Sequence, residues 1–240
     1  MDEKEKLRRQ VWIQLEKVAR PDSRFHLDFN RFIPDFESSA QSIEQLCNTS
    51  EYQQAERILV TPDNSLASLR ARCIADGKSL VVPTYSLARG LLCIERQNVP
   101  AGQEAYAATL DGLDVFGRPY LVSIDDRPPG PNLMVTGASV LNTEGVRVSH
   151  GPSFFDLEWL ILSALDLVNQ QTPIFAVVHD CQLVDEHFAP LPYGVGIDQI
   201  FTPTRKVDTG KPFPRPSHTS IRTLPWQIKQ DVPLLRELGG

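Results

Sequence analysis

The sequence predicts an α/β fold with a mostly parallel sheet. Three observations carry that expectation. RILVT (57–61) and SLVVPT (79–84) are near-continuous apolar runs, as strands buried on both faces require. Residues 66–76 between them carry a helix pattern closed by Gly77, which makes a β-α-β unit. The pattern then returns, with a strand-like NLMVTGASVL (132–141), a helix over 156–169 and a strand TPIFAVVHD (172–180).

The remaining elements follow in order. Residues 3–19 form a helix with Leu7, Val11, Trp12, Leu15 and Val18 on one stripe, and Pro21 ends it. Residues 22–39 lack periodicity and read as an ordered loop anchored by aromatics. Residues 40–56 resemble a second helix. PDNS (62–65) reads as a turn and N-cap, and DQIFTPT (198–204) as a further short strand. The Pro/Gly-rich stretches 126–131 and 210–217 read as loops. No internal repeat appears, and the short linkers give no reason to divide the chain, so 1–240 reads as a single domain.

Composition narrows the function. A net charge of −6 lacks the basic footprint of a nucleic-acid binder. No apolar run reaches membrane-spanning length, and the charged start MDEKEKLRRQ is no signal peptide. A cytoplasmic location and no membrane partner are expected. Cys47, Cys73, Cys93 and Cys181 show no CxxC spacing and sit in or beside apolar segments, so free, buried thiols are expected. The tryptophans Trp12, Trp159 and Trp226 are expected as core or interface anchors.

Open parallel sheets place sites at the carboxyl ends of their strands. Four polar clusters fall there: Pro83-Thr84, the 147–156 loop, His179-Asp180, and Thr202-Pro203-Thr204-Arg205. The 147–156 loop enters a helix N-terminus, where N–H groups and the helix dipole hold anions. It carries only one glycine, Gly151, with Pro152 beside it. His150 reads either as a general acid or phosphate ligand or as a turn residue. Asp156 reads first as an N-terminal helix partner. His179, Asp180, Asp185 and His187 fit no zinc spacing. Lys4 and Arg8 lie on a charged helix face, and Arg205, Lys206, Lys211, Arg215 and Arg222 make the only basic stretch.

Several motifs in one order resemble the 5-formyltetrahydrofolate cyclo-ligase family. They are KEKLRRQVW (4–12), LVVPTYSLARGLL (80–92), GASVLNTEGVRVSHGPSFFDLEW (137–159), VVHDCQLVD (177–185) and IDQIFTPTR (197–205). The resemblance implies a three-layer α/β sandwich similar to ribose-5-phosphate isomerase and CoA transferases. It implies ATP and Mg²⁺ as cofactors. ATP would phosphorylate the formyl oxygen of 5-formyltetrahydrofolate, and N10 would then attack to give 5,10-methenyltetrahydrofolate.

By residue, the resemblance puts Lys4 and Arg8 at the ATP phosphates. Arg147, Ser149, His150, Gly151, Ser153 and Phe155 surround the triphosphate, and Asp156 lies near the metal. Arg147, His150 and Asp156 are the catalytic candidates. Thr84, His179, Asp180, Gln182, Thr202 and Arg205 are the substrate-binding candidates, with Asp185 and Asp198 beside them. The enzymes read Arg-x-Gly-x-Gly-x-Gly-Tyr/Phe-Tyr-Asp where this chain has Ser149, Gly151 and Ser153, so two of three glycines are serine. A Cβ where φ is positive costs roughly 1 kcal/mol and blocks close backbone approach. Pro152 also removes an N–H donor.

Four readings follow. One is an ATP-dependent cyclo-ligase acting on a folate-like small molecule, as a monomer or homodimer. A second is a catalytically diverged paralog that keeps a ligand pocket. A third is an RNA-associated adaptor, which the acidity argues against, and a fourth is another reaction on the same fold.

Overall fold

A computed structural model describes residues 3–148, 151–210 and 213–239. Helix α1 (Glu3–Leu15) stops at Leu15 rather than residue 19, because the chain turns at 16–18 and Ala19 bridges Phe36. The expected helix 40–56 is two, α2 (Ser39–Cys47) and α3 (Ser50–Gln54). Thr49 breaks it, its hydroxyl accepting the Tyr52 N–H at 3.2 Å as an N-cap. Strand β1 (Arg57–Val60), helix α4 (Ala67–Ala75) and strand β2 (Ser79–Pro83) form the expected β-α-β unit. Gly77 closes α4 at φ +78°, a conformation that glycine adopts without strain.

Strand β3 (Leu91–Ile94), helices α5 (Glu104–Ala107) and α6 (Leu110–Phe116), and strand β4 (Arg118–Leu121) fill the next stretch. The expected strand 132–141 divides into β5 (Leu133–Thr136) and β6 (Leu141–Asn142). Between them Gly137 donates its N–H to the Asp63 carboxylate at 2.9 Å instead of to a ladder. Helix α7 (Phe154–Ala164), strand β7 (Ile174–Val177), the short β8 (Leu183–Val184), and strands β9 (Gln199–Phe201) and β10 (Lys206–Asp208) follow. Helices α8 (Trp226–Asp231) and α9 (Pro233–Leu238) end the described chain.

The eight-stranded sheet runs β10-β9-β7-β5-β1-β2-β3-β4. Its five central strands, from β9 to β2, are parallel, and antiparallel strands close both edges. Side chains alternate between faces along each strand. Ile58 and Val60 of β1 join one core with Leu46, Leu69 and Ile74 from α2 and α4. Leu59 joins the other with Trp159, Leu160 and Leu235 from α7 and α9. Helix, sheet and helix are therefore the three layers.

Helix α7 is apolar on nearly every side. Burying each large aliphatic contributes roughly 1.5–3 kcal/mol, so packing rather than length holds this short helix in place. Trp159 is a core anchor as expected, fully buried with its indole N–H on the Pro216 carbonyl at 2.8 Å. Trp226 is not, since 66% of its surface is exposed. Cys47, Cys73 and Cys93 are buried free thiols, while Cys181 is only half-buried. Among the described residues, no helix is long and apolar enough to cross a membrane.

Candidate functional site

A cavity of about 490 Å³ opens where β1 and β5 end. Its floor is Thr61 and Asp63, past the end of β1, with Thr136 and Gly137, the last residue of β5 and the one after it. Arg8 and Trp12 of α1 close one side, and Phe29, Arg31, Phe32 and Ile33 of the irregular segment close a second. Arg147 and residues 151–156 form a third. The wall beyond α1 is tied down by short links. The Asn64 side-chain amide donates to the Asp22 carboxylate at 2.7 Å, and its backbone N–H donates to the Ile33 carbonyl at 3.1 Å. Trp12 donates to Ser139 Oγ at 2.7 Å and meets Phe29 edge-on at 6.0 Å.

The start of α7 is a capping box. Ser153 Oγ accepts the Asp156 N–H at 3.3 Å, and Asp156 accepts the Ser153 N–H at 2.8 Å. Asp156 is almost fully buried. One carboxylate oxygen takes the Ser153 N–H and hydroxyl, each at 2.8 Å. The other takes the Arg147 guanidinium and the Val195 N–H, the latter at 2.9 Å. Four donors thus occupy both oxygens. Arg147 also donates to Ser153 Oγ at 3.0 Å and stacks over the Phe155 ring at 4.9 Å.

Several buried polar atoms around the cavity have no partner among the described residues. They include Nε of Arg8, Nε of Arg147, Oγ of Ser65 and Oε2 of Glu158. Arg8 lies over the Trp12 ring and pairs with Glu5. Buried donors without acceptors are rare, and two of them sit on cavity-lining arginines.

Burial pushes the Asp63 carboxyl above the usual carboxylate range, against the pull of hydrogen bonds from Thr61 and Gly137. Burial pushes Glu158 well above it, helped by the nearby Asp63. Desolvation disfavours the charged form. Asp63 had the look of a turn residue in the sequence, and Glu158 that of a polar position in an apolar helix. Trp12 gave no sign of lining a cavity. The one signal for Glu158 is a charged residue inside an apolar helix sequence, with buried neighbours on both sides.

The structure brings together only part of the expected set. Arg8, Arg147, Gly151, Ser153, Phe155 and Asp156 line the cavity. Ser149 and His150 lie outside the described residues, as does Lys211. Lys4 does not line the cavity although it shares α1 with Arg8. The other strand-end residues serve turns. Thr84 Oγ1 donates to the Gly90 carbonyl at 2.8 Å and accepts the Arg89 N–H at 3.1 Å. His179 caps the 180–182 turn, its Nδ1 accepting the Cys181 N–H at 3.2 Å. Burial holds His179 below its ordinary value.

Asp180 accepts the hydroxyls of Thr202 and Thr204, each at 2.6 Å. Burial raises its carboxyl, but these bonds outweigh that and leave it below the ordinary range. Arg205 is exposed, with Nε 4.0 Å from Asp180. Gln182 is the one member that touches the site, from behind, donating to the Ala138 carbonyl at 2.6 Å. Asp185 is exposed, and His187 pairs with Glu144 at 2.7 Å. Among the described residues no cluster of His, Cys, Asp and Glu is arranged to hold a metal ion.

A model of the 5-formyltetrahydrofolate cyclo-ligase family matches residues 1–203. The methenyltetrahydrofolate synthase domain-containing protein of Bos taurus is 29% identical over 240 residues, a match covering 98% of this chain and 61% of that protein. Its Homo sapiens counterpart is 27% identical over 241 residues, with the same shares covered. The chain thus spans about three-fifths of these relatives. The NMR structure of Aquifex aeolicus 5,10-methenyltetrahydrofolate synthetase superposes with a TM-score of 0.52 at 13% identity, covering 86% of this chain and 92% of that one. That likeness is one of fold.

Proposed function

The chain belongs to the 5-formyltetrahydrofolate cyclo-ligase family, and from that membership we propose that it closes a formyl-bearing reduced folate, or a related formyl substrate, to its cyclised form with ATP. The observation that supports this reading is the convergence of Arg8, Arg147, Asp63 and the N-terminus of α7 on one cavity. ATP, when bound, supplies the phosphoryl group that makes the formyl oxygen a leaving group. The substrate's own N10 would then bond to the formyl carbon and give up its proton to solvent, as the carbon–oxygen bond breaks and the oxygen leaves in phosphate.

The protein's share of the work is positioning and charge. Arg8 and Arg147 neutralise phosphate oxygens, and the partnerless Nε–H of Arg8 fits an anion. Trp12, Phe29 and Phe32 offer an apolar wall to a planar ring. Asp63 offers a carboxyl on the cavity floor to ring nitrogens. Magnesium does not fit at Asp156, because four donors already fill both carboxylate oxygens. Asp156 acts instead as the post that holds Arg147 and the loop end, and no step is assigned to a metal there.

A second reading is a ligand-binding paralog without turnover. It is favoured by one observation: the capping box satisfies its own N–H groups, and Pro152 has none to give. One experiment separates the two. The purified protein is mixed with Mg-ATP and 5-formyltetrahydrofolate, and methenyl absorbance is followed. Product formation that Arg147→Ala abolishes supports the enzyme. Tight folate binding with no product would leave the paralog.

A further inference from the structure

Arg147 carries five N–H donors in a fixed fork, and two of its nitrogens are used, one on Asp156 and one on Ser153. Its Nε is buried and without an acceptor. Glu158 presents the complement, a carboxylate oxygen that is buried and without a donor. The two groups are within electrostatic reach of each other. Their placement explains why. Arg147 lies over the Phe155 ring, and Glu158 is three residues on along α7, on the same face of the helix. A buried donor and a buried acceptor, each without a partner, thus stand along one face of α7.

The pairing of Arg147 with Asp156 can be given up. If Arg147 leaves, Asp156 still accepts the Ser153 N–H, the Ser153 hydroxyl and the Val195 N–H. Its buried charge therefore remains hydrogen-bonded. Resting on the reading of Arg147 as an anion holder, we infer that Glu158 is a positioning residue. It takes the Nε edge of Arg147 and thereby turns the guanidinium's outer nitrogens from Asp156 and Ser153 into the cavity, toward the phosphate group of the ligand. Glu158 touches no ligand itself. This assigns a role to a buried glutamate that packing alone would not keep, since an apolar residue of similar volume satisfies the same site with no unpaired oxygen.

Inorganic pyrophosphate is the probe, because it needs neither folate nor turnover. The full chain, Glu158→Gln, Glu158→Leu and Arg147→Ala are titrated calorimetrically, and the thermal midpoint of each is recorded. Wild type is expected to bind and Arg147→Ala to lose binding. Glu158→Gln replaces one carboxyl oxygen with an N–H donor, which cannot accept the Arg147 Nε–H, and is expected to bind about tenfold more weakly. Glu158→Leu is expected to bind more weakly still, while melting ~2–4 °C higher per kcal/mol gained. A merely structural glutamate predicts the same rise in melting with pyrophosphate affinity unchanged, and that result overturns the inference. So does a wild type that binds no pyrophosphate, or an Arg147→Ala that binds as tightly as wild type. Should Glu158→Leu fail to fold, Glu158→Gln decides alone. Failure of the proposed reaction is a separate event, read from methenyl absorbance.

Discussion

Two buried arginine–aspartate pairs flank helix α7, and they differ in what surrounds them. At one, Arg215 pairs with Asp198 and also donates to the carbonyls of Gln170 at 3.0 Å and Thr172 at 2.5 Å. Its guanidinium lies 5.1 Å from the Trp159 ring, and Asp198 also accepts the Ile174 N–H at 2.8 Å. This pair stitches the starts of β7 and β9 to the underside of α7. At the other, Arg147 pairs with Asp156 beside a cavity, with one nitrogen unpartnered and a partnerless Glu158 close by. Burial alone does not separate them, since all four side chains are nearly enclosed. Completeness of hydrogen bonding does. A saturated pair is committed to the fold, and an unsaturated one is available to a ligand.

The sharpest way to break that contrast is to delete each arginine and compare the costs. Arg215→Ala removes a buried guanidinium that also holds the Gln170 and Thr172 carbonyls, and is expected to cost about 3–5 kcal/mol, measured by urea unfolding. Arg147→Ala leaves Asp156 with three donors and is expected to cost about 1–2 kcal/mol, while abolishing anion binding. Equal costs would show that the two pairs are alike and that Arg147 is simply a staple. A smaller effect tests the cap behind Arg147. Ser153→Ala removes the hydroxyl that receives both Arg147 and the Asp156 N–H, at about 1 kcal/mol. Ser153→Thr is expected to restore most of that loss.

The same contrast explains what could be read from the sequence. The sheet was legible because strands buried on both faces write continuous apolar runs, as at 57–60, 79–83 and 174–177. The edge strands β4 and β10 were not, because half-exposed sequences such as RPYL and KVD carry no such run. The 147–156 loop was legible as a site because its spacing is tied to a family motif, and Arg147, Ser153 and Asp156 do converge. Thr84, Asp180 and Thr202 were read as site residues because they are polar and end strands. Their hydroxyls and carboxylate are used up in turns. Asp63 and Glu158 were missed because burial, not residue type, sets them apart, and burial is a property of the assembled layers.

A third arginine–aspartate pair supplies the smallest effect and the last test of the contrast. Asp22 and Arg24 sit on the segment that walls the cavity, and Asp22 is buried while 48% of the Arg24 side chain is exposed. An exposed partner makes the ion pair itself worth little. Yet Asp22 also accepts the Arg24 N–H at 2.7 Å and the Asn64 side chain at 2.7 Å. The Arg24 side chain first, then Asn64 and the Arg24 backbone, hold its carboxyl well below the usual carboxylate range, against the upward push of burial. A carboxyl lowered in the folded state contributes stability above its unfolded value, near 3.9. That contribution is lost as pH falls from there toward the folded value. Asp22→Asn is therefore expected to be less stable than wild type at neutral pH, with the gap narrowing as pH drops from about 4 to about 2. Urea midpoints across that range measure it. A gap that stays constant with pH would assign Asp22 to neutral hydrogen bonding alone, and the wall of the cavity would then owe nothing to its charge.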